Sequence, residues 1–202
     1  MATKIEIRSA RSSGASSRAS SRARAGRYDG SMPDVFDTGK VAATANERVT
    51  LESFLDYYRA AVTAKLRGVS EEDARRRLVP SQTTLGGLIK HLARVEVSWF
   101  QHRLARIPAA DLPLLARAIE EPESDFRVDA EDTVETLIAL YEEQCARSRE
   151  IAAQHELDDV VPHSALGEVS MRWIVVHMIE ETARHAGHAD ILREQIDGTT
   201  GD

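Results

Sequence analysis

Apolar residues recur along most of this chain at intervals of three and four, the spacing that gathers side chains on one face of an α-helix. In "NERVTLESFLDYYRAAVTAKLRG", Val49, Phe54, Tyr57, Val62 and Leu66, with Leu51, Leu55 and Tyr58 beside them, form one broad apolar face that ends at Gly68. "SEEDARRRL" predicts a short helix with Ser70 as N-cap and Asp73 at the capping-box position, and "VPSQTT" breaks it. A second long helix is expected over residues 84–106, with Leu85, Leu88, Leu92, Val95 and Trp99 as its stripe. Residues 107–131 hold Pro108, Pro113 and Pro122 and several acids; they read as a crossover with a helical turn near residues 114–120. The third helix is expected over residues 132–155, with Val134, Leu137, Ile138, Tyr141 and Cys145 facing inward. "ELDDVVPHSALGEVS" reads as a loop, and the fourth helix runs from near Ser170 to Gly198, a stop residue. Four long helices joined by one long crossover predict an all-α four-helix bundle over residues 41–198, followed by a short tail at 199–202.

Composition agrees. Charged residues make up 29% of the 202 and aromatics only 5%, a balance that favours helix over sheet. No apolar run approaches the roughly 18–20 residues that span a bilayer, so no membrane partner is expected. The single cysteine, Cys145, excludes an internal disulfide and fits a cytoplasmic location.

The net charge of −7 is unevenly spread. Residues 1–31 contain seven basic side chains against Glu6 and Asp29, a balance of +5 that leaves −12 on the rest. An acidic body is a poor binder of nucleic acid, and none is expected as a partner. Residues 1–40 are predicted to be a disordered Ser/Arg-rich tail, since "SARSSGASSRASSRARAG" has no large apolar residue to bury. The tail's composition also resembles an organelle transit peptide or a basic arm, and Met32 is an alternative start.

One stretch of the fourth helix raises a chemical question. "EETARHAGHADILRE" carries Glu181, His185 and His188. With about 100° per residue and Glu181 at zero, His185 falls near +40°, His188 near −20°, Leu192 near +20° and His177 near −40°. An acid and histidines therefore share the stripe of a leucine that must face the core. A carboxylate aimed at a core is costly unless it is paired or bound to a metal. Groups at i and i+4 lie about 6 Å apart, which suits two positions around one ion. A third ligand would come from another helix, and His91, at the edge of the second helix's stripe, is the candidate. His102 lies about 16 Å further along that helix, too far to share the ion. The bland reading is a set of hydrogen-bonded edge histidines with an ordinary Glu–His pair.

The segments "TTLGGLIKHLARVEVSWF" and "HMIEETARHAGHADILREQIDG", with "LESFLDYYRAAV" and "EEDARRRLVPSQTT", resemble the DinB-like superfamily over roughly residues 45–198. The likeness is to its actinobacterial branch, akin to the N-terminal domain of the mycothiol-dependent maleylpyruvate isomerase. The resemblance implies an up-down-down-up four-helix bundle, often a homodimer, that holds one divalent ion, zinc or nickel, on three side chains. His91 of "LIKHLA" matches the histidine of the second helix. In "ETARHAG", Glu181 and His185 match the pair four apart, with Gly187 on the motif's glycine. His188, one step later, is implied as a supporting or substitute ligand. The resemblance further implies chemistry with a small-molecule thiol such as mycothiol as co-substrate. There the metal activates a thiolate, or a water, against an electrophile, and conjugation or detoxification is expected rather than isomerisation.

Other residues carry less. Cys145, Trp99 and Trp173 read as core, although the tryptophans could line a pocket. His155 and His163 lie near loops. Gly86 and Gly87 permit close helix contact, since no phosphate-loop pattern accompanies them. Arg184 and Arg193 read as solvated charges, and Asp190 as a surface acid or as an orienting partner of His185 or His188. A di-iron centre is excluded, because the second helix lacks the ExxH pair it requires. Two functions remain: a metal-dependent thiol S-transferase, or a non-catalytic dimeric helical bundle acting as a stress or binding protein without tight metal.

Overall fold

The computed structural model describes residues 43–200, so the expectations for the tail at residues 1–40 lie outside the described residues. The elements are α1 (Glu47–Leu66), α2 (Glu71–Ala74) and α3 (Leu85–Glu96), the last running on as a π-helical segment, Val97–Leu104. The crossover holds a 3₁₀ turn (Ala109–Asp111), α4 (Pro113–Glu120) and a second 3₁₀ turn (Pro122–Phe126). Then come α5 (Val134–Ala152), a hairpin of β1 (Val160–His163) and β2 (Gly167–Ser170), and α6 (Met171–Asp197).

Each long helix opens on a side chain that accepts a hydrogen bond from an otherwise orphaned backbone N–H: Asn46 for α1, Thr84 for α3, Thr133 for α5 and Ser170 for α6. Thr133 and Thr136 cap each other reciprocally. Gly198 closes α6 at φ 78°, a left-handed conformation that glycine adopts without a Cβ clash.

Long-range pairs fix the topology. Arg172 at the start of α6 donates to Glu47 at the start of α1, while Arg193 near its end donates to the carbonyls of Lys65 and Arg67, so α1 and α6 run parallel. Arg48 at the start of α1 reaches the carbonyl of Ala152 while Arg67 past its end meets Glu142, so α5 runs opposite to α1; Lys90 meets Asp132 and Gln101 meets Gln144, so α3 and its continuation run parallel to α5. The result is the up-down-down-up bundle. Arg193 is therefore no solvated charge: it caps the last carbonyls of α1.

The core lies between the four long helices. Leu66, Leu88, Leu92, Leu137, Tyr141 and Leu192 fill one half, and Leu55, Phe100, Met171, Ile174 and Met178 the other. Cys145 is buried in the first half, and burial pushes its thiol well above the usual range, as befits core filler. Also buried are Arg59 and Glu96, joined by two hydrogen bonds of 2.8 and 2.6 Å, with Asp56 taking a third guanidinium N–H at 2.9 Å.

Three departures from the sequence reading have physical causes. Val49 and Phe54 are solvent-exposed, because the apolar residues of α1 span a wider arc than its neighbours cover; Leu55, Val62 and Leu66 form the buried face. The expected loop at residues 156–170 contains the hairpin, whose strands are four residues long and bury one valine each, Val161 opposite Val169. So short an alternation, interrupted by Pro162, carries little periodic signal. The second helix is not regular to its end: Ala105 N–H bonds to Phe100 O, an i→i+5 closure.

Candidate metal centre

The site lies on the seam between α3 and α6, which run antiparallel. His91 comes from the middle of α3, and Glu181 and His185 from successive turns of α6. His91 Nε2 is 3.1 Å from Glu181 Oε1, and His185 Nε2 is 3.3 Å from the same oxygen. The two imidazoles meet nearly edge to face, with centroids 4.8 Å apart. One donor atom from each residue lies within 4.8 Å of the others, and among the described residues no other triad of such side chains converges so closely. His91 and His185 are buried, and the Glu181 side chain is 15% exposed.

A residue that the sequence reading passed over completes the arrangement. Asp125, in the 3₁₀ turn of the crossover, places Oδ2 2.8 Å from His91 Nδ1. Arg94, one turn past His91, donates to both Asp125 oxygens at 2.7 and 3.0 Å. Burial alone would raise the Asp125 pKa, but His91 and Arg94 outweigh it and hold the group ionised. An ionised carboxylate can only accept, so His91 Nδ1 must carry a proton, and Nε2 is aimed at Glu181. Nothing in "PESDF" marks this Asp as different from its acidic neighbours; it is identified only by where the crossover lands.

Gly87 decides that landing. A Cβ built there would stand 2.5 Å from the Phe126 carbonyl oxygen, so only glycine lets the crossover pass this close to α3. The Phe126 ring then stacks on His91, with centroids 4.4 Å apart and planes at 14°. Lys90 anchors the far end of the crossover on Asp129 at 2.6 Å and Asp132 at 2.7 Å. The expected close contact at the glycine pair is thus with the crossover for Gly87, and at Gly86 with Val128, Ala74 and Leu137.

The charges of the site are mutually dependent. Glu181 is held far below the usual carboxylate range by hydrogen bonds from His185 and His91, against the opposing effect of burial. Burial would lower the pKa of His91, but Asp125 and Glu181 reverse it, and the net shift is upward. Without a metal, His91 therefore lies between two carboxylates that favour its protonated form. In neutral form it would turn a bare lone pair on Nε2 toward a carboxylate oxygen, an arrangement that calls for a cation between them. The donor set of two imidazole nitrogens and one carboxylate oxygen fits a zinc- or nickel-type ion. With two separations of 3.1 and 3.3 Å and all three donors within 4.8 Å of one another, the side chains stand close enough to share one ion.

The remaining expected residues fall outside the triad. His188 is exposed, and its Nδ1 lies 3.3 Å from Nδ1 of His185, where it supports that ring from behind. His177 turns instead to the tryptophans, with its ring 4.7 Å from Trp99. Asp190 orients neither histidine: its Oδ1 forms an ion pair with Lys65 Nζ at 2.7 Å. Arg184 pairs with Glu180 and brings Nη1 within 3.6 Å of Glu181 Oε2. His102 donates to the carbonyl of Ile107 at the end of the π segment.

Residues 50–198 match the family described as mycothiol-S-transferase. The crystal structure of a conserved protein from Enterococcus faecalis superposes with a TM-score of 0.58 at 18% sequence identity, over 77% of this chain and 100% of that one, a likeness of fold. None of the curated proteins matches the chain.

Proposed function

The chain belongs to the mycothiol-S-transferase family, and from that premise we propose that it is a divalent-metal-dependent S-transferase joining a mycothiol-type thiol to a small electrophile. The observation that carries this reading is the convergence of His91 Nε2, the Glu181 carboxylate and His185 Nε2, with Asp125 fixing the proton of His91 on its far side. A zinc or nickel ion held there would supply a Lewis acid that lowers the pKa of a thiol or water brought to it. His91 and His185 present Nε2 as ligands, and Glu181 contributes the anion that offsets the ion's charge. Asp125 and Arg94 keep the His91 ring from rotating, and His188 braces His185, the kind of outer support that orients ligands. In the transfer the thiol gives up its proton to solvent, and a sulfur lone pair forms the new C–S bond. The leaving group departs with the electrons of its own bond. The same proposal includes a homodimer working in the cytoplasm.

In the competing reading, a metal-free binding bundle, the same 3.1 Å contact is a hydrogen-bonded Glu–His pair, and the two readings part on whether an ion takes the place of the His91 proton. Metal content of the purified full chain, measured by mass spectrometry beside His185→Ala, tests the proposal. About one zinc or nickel per chain, lost in the variant, supports it. No metal in either sample after reconstitution would mean that the seam is a packing face.

A further inference from the structure

One rung along the same seam lies a group of rings that the triad does not use. His177 precedes Glu181 by one turn of α6, about 6 Å along the helix. It meets Trp99, which lies in the π segment that continues α3 about two turns past His91, with centroids 4.7 Å apart. Trp173 stacks on His177 at 5.2 Å and 12°, and His163 stacks on Trp99 at 5.6 Å and 8°. The π segment, the hairpin and α6 thus each contribute rings. The hairpin turn holds the His163 ring by offering the backbone N–H groups of Ala165 and Leu166 to its Nδ1, both at 3.2 Å.

Two features separate this cluster from core packing. Trp173 is 38% exposed, and Val176 beside it 49%, so a face of the cluster is open to solvent. Above Trp99, 5.1 Å from its centroid, lies the guanidinium of Arg103. Its Nε is buried without a hydrogen-bond partner, and no carboxylate among the described residues pairs with it. A part-buried guanidinium with unspent donors over Trp99, whose ring centroid is 5.4 Å from that of the exposed Trp173, is complementary to a flat anion.

We propose that this aromatic cluster is the electrophile-binding site: it takes a planar, conjugated or aromatic compound bearing a carboxylate, stacking its flat body on Trp173 and His177 and meeting its anion with Arg103. The proposal rests on the S-transferase reading for the purpose of the site, and the position of the cluster one rung from the triad supports the pairing of the two. Tryptophan and histidine faces stack flat π-systems, and the fork of Arg103 matches a carboxylate, so both body and anion are selected.

The protein offers a direct readout, because Trp99 and Trp173 are its only tryptophans and both lie in the cluster. The two indole Nε1–H resonances of the full chain are followed by NMR during titration with cinnamate, cinnamyl alcohol and cyclohexanecarboxylate as probes. Saturable shifts with cinnamate are expected. The alcohol should bind at least about tenfold more weakly for lack of the anion, and the cyclohexane acid comparably so for lack of a flat face. Arg103→Gln should bring cinnamate down to the alcohol's affinity. The same titration on His185→Ala and on metal-stripped protein should still show cinnamate binding; cinnamate binding by an unaltered chain that takes up no metal on reconstitution would sink the S-transferase reading alone. A metal-loaded, thiol-consuming protein that binds the three probes alike, or binds none, would overturn the aromatic site and leave that reading standing.

Discussion

His91 Nδ1 lies 2.8 Å from Oδ2 of Asp125, a residue 34 positions away that belongs to the crossover and to none of the four long helices. The crossover is thereby part of the site. Asp125→Asn removes the ionised acceptor that fixes the His91 proton, and metal affinity should fall about 10–100-fold while the fold persists. Competition with a coloured chelator measures it. Unchanged affinity would reduce Asp125 to a partner of Arg94.

Metal binding should release a proton from His91 and grow stronger with pH. The carboxylates Asp125 and Glu181 raise the His91 pKa against burial. In the metal-free protein their contacts with the imidazolium stabilise fully below the unfolded value of about 6.5, and this stabilisation is lost as pH rises through the raised folded value. An ion must displace that proton, so apparent affinity climbs through the same interval and levels off above it. Calorimetric titrations in buffers of different ionisation enthalpy count the protons. A binding enthalpy independent of buffer near neutral pH would contradict a protonated His91.

Two glycines should respond in opposite directions to alanine. At Gly87 the new methyl meets the Phe126 carbonyl, and Gly87→Ala should lose about 1–3 kcal/mol, more than the helix propensity it gains, along with metal affinity. At Gly187 nothing stands within 4 Å, and Gly187→Ala should gain about 0.5–1 kcal/mol. Thermal melts of both variants decide this. A stabilising Gly87→Ala would mean that the crossover yields readily.

Arg59→Ala should be among the most disruptive single changes, because it strands Glu96, which is wholly buried. Breaking a buried pair costs about 3–5 kcal/mol, whereas replacing both partners by apolar residues is often nearly neutral. Urea unfolding of Arg59→Ala and of the double variant Arg59→Met/Glu96→Leu should show that contrast. Equal losses would point to lost packing rather than to a stranded charge.

The sequence by itself determined the local and repetitive features. The 3.6-residue period marked the long helices, and Gly198 marked the end of the last one. The angular overlap of Glu181, His185 and Leu192 put an acid and a histidine on a core-facing stripe, because helix geometry fixes directions within one element. Placing His91 opposite them needed the family resemblance as well, since spacing leaves open which helix faces which. Tertiary structure decided everything that depends on where separate elements meet. Asp125 reaches His91 because Gly87 lets the crossover close in. Trp99, His163, Trp173 and His177 gather because the π segment, a four-residue hairpin and α6 converge, although the sequence reading set His163 aside as a loop residue. Phe54 stayed exposed for the same reason, since burial belongs to the neighbours a helix finds and not to its own pattern. Periodicity is a property of one strand of chain, whereas an ion site, a ring cluster and a buried charge pair are properties of distances between strands, which sequence spacing does not encode.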